Sequence, residues 1–159
     1  MMPHEPVLDI MRRTIANLEF IERNASANGP YEVTQLINSF LGAMAHPWER
    51  LKSDSFSTST ADAVAAGWPI PLAEHLDDNS PKTLGDFFRN LRNGIAHGNI
   101  SFLPGALGEI AALRIENRNR GQRTWGAIMT PNDMRRFLRM FVALVEEIDT
   151  MARKPLRIA

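Results

Sequence analysis

The chain has 159 residues, of which 44% are hydrophobic and 23% charged, a composition typical of soluble globular proteins and unlike that of disordered ones. No apolar run approaches the roughly 20 residues of a membrane span, and the N-terminus lacks the pattern of a secretory signal. The absence of cysteine excludes disulfides, thiol catalysis and cysteine-ligated zinc. We therefore expect one cytoplasmic domain over residues 1–159, with no membrane contact.

Charge is balanced overall but unevenly distributed along the chain. Eighteen Lys and Arg residues match eighteen Asp and Glu residues, so the net charge predicts no class of partner. Fifteen of the basic residues are arginine, which favours bidentate contacts with phosphate or carboxylate, although high genomic GC content enriches arginine as well. Residues 114–139 carry seven arginines against two acids, whereas residues 50–86 carry three bases against six acids. This asymmetry is compatible with a nucleic-acid-binding surface but does not establish one.

Two helices are predicted in the N-terminal third of the chain, because apolar residues recur there at three- and four-residue steps. The first runs from about residue 7 to residue 27, and Asn28-Gly29-Pro30 is expected to end it. The second runs from about residue 31 to residue 45, and we expect Pro47 to close it.

The middle of the chain combines an irregular segment with a third helix. Residues 52–81 cluster Ser, Thr and Asp without a regular pattern, which predicts an irregular loop, with Trp68 expected to anchor it by packing. The third helix is expected to start near residue 82, with Ser80-Pro81 as N-cap and first helical residue, and to stop at Gly98.

The apolar period changes after the third helix. Residues 111–117 and 122–129 alternate loosely around Arg118-Asn119-Arg120-Gly121, which predicts a β-hairpin over about residues 111–129. Thr130-Pro131-Asn132-Asp133 then predicts the start of a last helix, whose wide apolar stripe indicates burial against two neighbours. These patterns together predict a mainly helical fold.

The end of the third helix holds the residues best suited to chemistry. Asn93 and His97 are four residues apart on one helix face, and Arg89 extends this row. Arg92 lies about 140° around the helix from His97 and roughly 7.5 Å along it, so the two converge only on a phosphate or across a two-fold axis. Histidine transfers protons near neutral pH, and arginine stabilises a phosphate as negative charge builds on it. These groups suit metal-free cleavage of RNA by the adjacent 2′-hydroxyl, although a solvated polar helix face explains the same residues.

The predicted hairpin offers a second set of polar residues. Arg114, Arg118, Arg120 and Arg123 are suited to gripping an RNA backbone, and an ordinary solvated hairpin is the alternative. Trp125 is expected to pack within the fold rather than to stack on a base.

We expect neither a metal site nor a cofactor. The histidines outside the third helix have no partner at metal-ligand spacing, and the paired carboxylates are adjacent in sequence, so their side chains do not share a helix face. These residues are His4, His46, His75, Asp77-Asp78 and Glu146-Glu147.

The run Leu91-Arg92-Asn93-Gly94-Ile95-Ala96-His97-Gly98 resembles the signature of the HEPN superfamily, in which four residues separate an arginine from a histidine on a late helix. Residues 32–42 and Pro47-Trp48-Glu49 further resemble a plasmid- and phage-borne HEPN subgroup. The resemblance implies an HEPN-like antiparallel helical bundle. The β-hairpin predicted from the residue pattern would be an insertion before the last helix, and the general motif explains neither it nor residues 52–81.

The resemblance also implies a function. HEPN proteins of this type are dimers whose motif helices meet at a shared cleft, and they are metal-independent endoribonucleases that leave a 2′,3′-cyclic phosphate. Carried onto this chain, Arg92 would stabilise the phosphate, His97 would be the acid and base, and Asn93 the polar helper, with Arg89 and the hairpin arginines as RNA contacts. The tyrosine that some HEPN toxins carry two residues after the histidine is Asn99 here, so control by adenylylation is not expected.

Such proteins commonly act as toxins or in defence against phages and plasmids. The expected partners are therefore RNA, a second copy of the chain bound through the motif helix, and an antitoxin protein. The alternative is a non-catalytic HEPN module that binds a protein or an RNA.

Overall fold

The structure, a computed structural model, describes residues 5–26, 32–50, 56–71, 74 and 80–153. Its elements in chain order are α1 (Glu5–Arg23), α2 (Glu32–Arg50), α3 (Thr60–Ala65), α4 (Leu84–Ala96), β1 (Ile100–Pro104), β2 (Ile110–Asn119), β3 (Gln122–Met129) and α5 (Pro131–Arg153). The prediction of a mainly helical fold is confirmed, and a small antiparallel sheet lies between the last two helices in the chain.

The helices bury their apolar stripes against one another. α1 packs along α2, α2 also contacts α4 and α5, and α5 reaches back to α1. Within the described residues, no helix is both long and apolar enough to cross a membrane.

Aromatic rings fill the space between α4, α5 and the segment before α3. Phe88 of α4 lies at the centre, with its ring centroid 4.9 Å from that of Phe56 and 4.9 Å from that of Phe141. A third partner, Phe137, lies 5.3 Å away at an interplanar angle of 90°. Such edge-to-face pairs each contribute about 0.5–1.5 kcal/mol beyond the burial of their area. The buried face of α4 is therefore firmly held, and its opposite face remains for other contacts.

The segment predicted to be irregular contains a short helix, α3, that the sequence analysis missed. Ser59 caps α3 by accepting a hydrogen bond from the backbone N–H of Asp62, and Ser59 also forms an isolated antiparallel bridge with Thr83. α3 and α4 therefore begin side by side. Trp68 packs on Phe88 and Phe137, with ring centroids 5.5 Å and 5.2 Å apart, so its expected role as a packed anchor is confirmed.

Two helix boundaries differ from those predicted. The N-cap of α4 is Thr83 rather than Ser80, because Thr83 and Asp86 form a capping box in which each side chain binds the other residue's backbone N–H. α2 continues through Pro47 to Arg50: the fixed φ of proline is compatible with a helix, although proline has no N–H to donate and its ring crowds the carbonyl four residues earlier. The predicted start of α5 is confirmed, since Thr130 Oγ1 accepts from the N–H of Asp133 at 3.1 Å.

The sheet has the order β1-β2-β3 with both pairs antiparallel, one strand more than the sequence predicted. Arg120 and Gly121 alone connect β2 to β3, and both have positive φ, 49° and 80°, as a type I′ turn requires. The register of β2 against β3 shifts between Asn117 and Arg118. One face of the sheet is buried on α4 and α5 through Leu113, Ile115, Trp125, Ala127 and Met129.

Candidate functional site

The C-terminal half of α4 presents a polar face opposite its buried stripe. Leu91 and Ile95 are buried, whereas Arg89 and His97 are exposed and Asn93 is half-buried. Residues four apart are neighbours on a helix surface, so these three polar side chains form one row along α4. The predicted row is therefore on the solvent side of the helix.

The end of α4 is fixed by a Schellman motif centred on the predicted stop signal. Gly98 has a φ of 67°, a left-handed conformation that glycine adopts without steric cost. Its N–H donates to the carbonyl of Ile95 at 3.0 Å, and the N–H of Asn99 donates to the carbonyl of Gly94 at 2.9 Å. His97 is the C-cap residue, and its own N–H binds the carbonyl of Asn93 at 3.0 Å. The imidazole therefore extends from a backbone that five residues hold in place.

Arg92 and Asn93 are joined directly. Arg92 Nη1 donates to Asn93 Oδ1 at 3.0 Å, and both side chains are half-buried. Because the amide oxygen accepts this bond, Asn93 holds the guanidinium and keeps its own NH₂ group as a donor. Arg92 and His97 lie about 140° apart around the helix axis, so within one chain they do not face each other.

The motif helix is in close contact with β2 at Gly94. A Cβ atom at this position would lie 2.6 Å from Ile115 Cγ2 and 2.9 Å from the backbone oxygen of Glu116, closer than real Cβ atoms approach. Beside this contact, Asn117 Nδ2 donates to Asn90 Oδ1 at 3.0 Å. No role was predicted for these contacts, although a glycine inside an otherwise regular helix is a known signal of close packing.

The arginines predicted to contact RNA divide into three groups. Arg89 forms an ion pair with Asp86 on its own helix. Arg114, Arg118 and Arg123 lie together on the face of the sheet turned away from α4 and α5. Arg120 is exposed in the turn between β2 and β3.

Two glutamates that the sequence analysis did not single out neutralise part of this sheet face. The Glu74 carboxylate accepts hydrogen bonds from Arg114 Nε at 2.8 Å and from Arg114 Nη2 at 3.2 Å. Its Oε2 atom also lies 3.7 Å from Arg123 Nη1. Its backbone N–H also donates to the carbonyl of Gly126 at 2.8 Å. Glu116 accepts from Arg118 at 2.8 Å and from Arg123 at 3.1 Å. Four arginines thus share the face and the turn with two carboxylates.

The charges in this cluster change the pKa of two members. Burial raises the pKa of the Glu116 carboxyl, but the hydrogen bonds from Arg123 and Arg118 outweigh burial and hold the pKa below its ordinary value of 4.5. The hydrogen bond and the negative charge of Glu74 raise the pKa of Arg114. Both shifts favour the charged forms of Glu116 and Arg114.

Trp125 does not contribute to an RNA-binding surface. Its side chain is only 2% exposed and its ring lies edge-on to Phe87, with centroids 5.8 Å apart. The expectation that it packs within the fold is confirmed, and the alternative of base stacking is wrong because no base can reach its face.

The residues considered for metal binding are only partly described. His4, His75 and Asp77-Asp78 lie outside the described residues, and for His46 only the backbone within α2 is described. Glu146 forms an ion pair with Arg12 at 2.7 Å. Among the described side chains, no three from His, Asp or Glu come together as a metal site would require.

Comparison with known proteins gives one match. A family model described as HEPN pEK499 p136 matches residues 1–151, which extend from before α1 to the last turn of α5 and include the motif helix and the whole sheet. No curated protein and no solved structure matches the chain.

Proposed function

The chain belongs to the HEPN pEK499 p136 family, and from this we propose that it is a metal-independent endoribonuclease that acts as a homodimer. HEPN domains often bind RNA and dimerise. The observation that carries the proposal is the polar face of α4, where the Arg92–Asn93 pair and the exposed His97 end a helix that is fixed on the sheet.

Each group has a defined part in the reaction. The 2′-oxygen of the RNA attacks the adjacent phosphorus and the bond to the 5′-oxygen breaks, leaving a 2′,3′-cyclic phosphate and a 5′-hydroxyl. His97 takes the proton of the 2′-hydroxyl and, as the imidazolium, returns a proton to the 5′-oxygen. Arg92 stabilises the negative charge that builds on the phosphate, and Asn93 orients the guanidinium through the bond to Nη1.

The geometry of α4 favours a site shared between two chains. Arg92 and His97 are about 140° apart on one helix, so a phosphate between two copies of α4 is contacted more easily by Arg92 of one protomer and His97 of its partner. A two-fold axis perpendicular to α4, crossing between the levels of Arg92 and His97, would bring these groups together. The dimer is therefore part of the catalytic proposal.

The cellular part of the proposal follows from the family. The chain, as one HEPN-like antiparallel helical bundle with a three-stranded sheet inserted before the last helix, would act on RNA in the cytoplasm as a toxin or in defence against phages and plasmids. Its further partner would be an antitoxin protein. Arg89, Arg114, Arg118, Arg120 and Arg123 would add salt-dependent contacts to the RNA backbone.

The direct experiment is incubation of the purified protein with end-labelled structured and single-stranded RNAs in excess EDTA. We expect the wild type to produce cyclic-phosphate ends and His97→Ala to produce none, with circular dichroism and dimerisation unchanged. Arg92→Lys keeps the charge but loses the bidentate fork, so it should cleave far more slowly, whereas Arg12→Lys, at an exposed ion-paired arginine on α1, should cleave normally. Intact RNA in every reaction would favour the non-catalytic HEPN module.

The shared site has its own test in mixed dimers. His97→Ala and Arg92→Ala chains, co-expressed, form heterodimers in which one combination of Arg92 and His97 across the axis remains complete. If both groups act across the axis, activity should return to as much as about a quarter of the wild-type value, since half of the dimers are mixed and each has one intact site. No recovery in purified heterodimers would show that both groups act from the same chain.

A further inference from the structure

A polar cleft lies beside the motif helix and is not used by the catalytic residues. It has a volume of about 460 Å³ and is bounded by the start of α4 and by the ends of β2 and β3. The residues that matter here are Lys82, Asp86, Arg89, Asn90, Asn119 and Thr124, which all line it.

Two basic side chains, Lys82 and Arg89, and one carboxylate, that of Asp86, line the cleft, so its net charge is positive. The Asp86 carboxylate accepts hydrogen bonds from the backbone N–H groups of Lys82 at 3.2 Å and of Thr83 at 3.1 Å. It also forms an ion pair with Arg89. Burial raises the pKa of Asp86, but the bonds from Thr83 and Lys82 and the charge of Arg89 together lower it, so the carboxylate is already satisfied. Lys82 and Arg89 are both exposed, and a guanidinium has five N–H donors, of which Asp86 does not occupy all.

The other wall of the cleft offers amides and a hydroxyl. Asn90 Oδ1 accepts from Asn117 at 3.0 Å, which fixes the amide and leaves its NH₂ group as a donor. Thr124 Oγ1 donates to the carbonyl of Asn117 at 3.3 Å and keeps its lone pairs as acceptors. Asn119 is exposed at the end of β2. Donors and acceptors of this kind, next to two cations, match the base edge and the phosphate of an unstacked nucleotide.

The cleft is close enough to the proposed catalytic residues for one RNA strand to contact both. Arg89 belongs to the same row as Asn93 and His97, and eight residues of helix separate it from His97 by about 12 Å. An RNA strand that places its scissile phosphate at Arg92 and His97 therefore reaches the cleft without a sharp bend.

We infer that this cleft is a substrate subsite that binds one nucleotide of a single-stranded RNA, about 12 Å along α4 from the scissile phosphate. Lys82 and Arg89 bind its phosphate, and Asn90 and Asn119 contact its base. This inference rests on the proposed ribonuclease function, and it assigns the substrate class, a single strand, that the motif alone does not define.

The test is direct binding, separate from cleavage. Fluorescently labelled twelve-nucleotide RNAs of U, A or C are titrated with His97→Ala protein over a range of salt concentrations. Adding Lys82→Ala and Arg89→Ala should weaken binding about tenfold or more, since two charge-assisted contacts are lost. It should also reduce the slope of log K against log salt by about 0.7 for the loss of Lys82 and by up to about 1.4 for both changes, since Asp86 already neutralises part of the charge of Arg89.

The matched control removes the same two positive charges from α1, away from the cleft. Arg12 and Arg13 are exposed, ion-paired arginines on α1, so Arg12→Ala with Arg13→Ala should leave both affinity and slope nearly unchanged. Asn119→Ala should alter the preference among U, A and C without changing the slope, because it removes a base contact and no charge.

The outcomes separate the two proposals. Equal affinity and slope for the Lys82/Arg89 and Arg12/Arg13 double variants would overturn the subsite while cleavage by the wild type still stood. A selective loss of binding together with no cleavage by the wild type would support the subsite and overturn the ribonuclease. Failure of the His97→Ala protein to bind any of the RNAs would overturn the subsite.

Discussion

Gly94→Ala should destabilise the protein even though alanine is the better helix former. The added Cβ would lie 2.6 Å from Ile115 Cγ2, about 1 Å less than the optimal separation of two carbon atoms. Ile115 is fully buried, and the second close atom is a backbone oxygen of β2, so relief requires the helix and the sheet to separate. Overpacking of this kind costs about 1–3 kcal/mol, and we expect the upper half of this range because backbone must move.

Helix propensity offsets part of the cost, because alanine is favoured over glycine by about 1 kcal/mol inside a helix. The free energy of unfolding should therefore fall by about 1–2 kcal/mol, which lowers Tm by about 2–8 °C in a domain of this size. Gly42→Ala in α2 is the matched control, since nothing lies within 4 Å of its Cβ position. That variant should be more stable than the wild type by up to about 1 kcal/mol.

The assay is urea and thermal unfolding of both variants, followed by circular dichroism. We expect the free energy of unfolding to fall for Gly94→Ala and to rise for Gly42→Ala, although both replace glycine by alanine. If Gly94→Ala were as stable as Gly42→Ala, the close approach of α4 and β2 would not be the reason for the glycine, and the account of how the sheet holds the motif helix would be wrong.

Three further predictions concern acid stability, the turn and the core. The pKa of Glu116 is lowered in the folded state, so its stabilisation is complete above the ordinary value of 4.5 and is lost as the pH falls through the folded value. Urea unfolding between pH 6 and pH 3 should show this loss, and Glu116→Gln should flatten the curve. Arg120→Asn should raise the free energy of unfolding by about 0.5–1 kcal/mol, because asparagine tolerates positive φ better than arginine. Phe88→Ala should cost about 3–5 kcal/mol in the same assay, since four aromatic neighbours lose their partner.

Each of the three has a result that would contradict it. An identical pH dependence for Glu116→Gln and the wild type would mean that the ion pairs of Glu116 do not shift its titration. A less stable Arg120→Asn would show that the arginine makes contacts that outweigh its backbone conformation. A loss below about 1 kcal/mol for Phe88→Ala would be inconsistent with a ring buried among well-packed neighbours.

The parts of the fold that could be predicted from sequence depend on hydrogen bonds between near neighbours. The start of α5 was predictable because the side chains of Thr130 and Asp133 each accept a hydrogen bond from the backbone N–H of the other, within one turn of helix. The start of α4 was not predictable in the same way, because serine and threonine are both favoured N-cap residues and the sequence offers Ser80 as well as Thr83. Thr83 is the cap in the structure, where it forms a capping box with Asp86 and pairs with Ser59, more than twenty residues earlier.

Other features depend on contacts that no local pattern contains. β1 was missed because it is a short edge strand that ends in Pro104, and its pairing with β2 is what defines it. The proposed site was predictable as a set of residues on one helix face, but the contact of Gly94 with β2 was not. The pairing of Arg114 with Glu74, 40 residues apart, likewise exists only in the folded chain.

The glutamates on the sheet alter what its arginines can offer to RNA. A phosphate that approaches Arg114 or Arg123 must first replace a carboxylate that is already bound, so each contact is an exchange of one anion for another. The gain in free energy is then only the difference between the two pairs, and the displaced glutamate attracts a cation as the phosphate gives one up. Affinity and salt dependence at this surface should both be smaller than a count of arginines suggests. RNA of high local charge density would drive this exchange furthest.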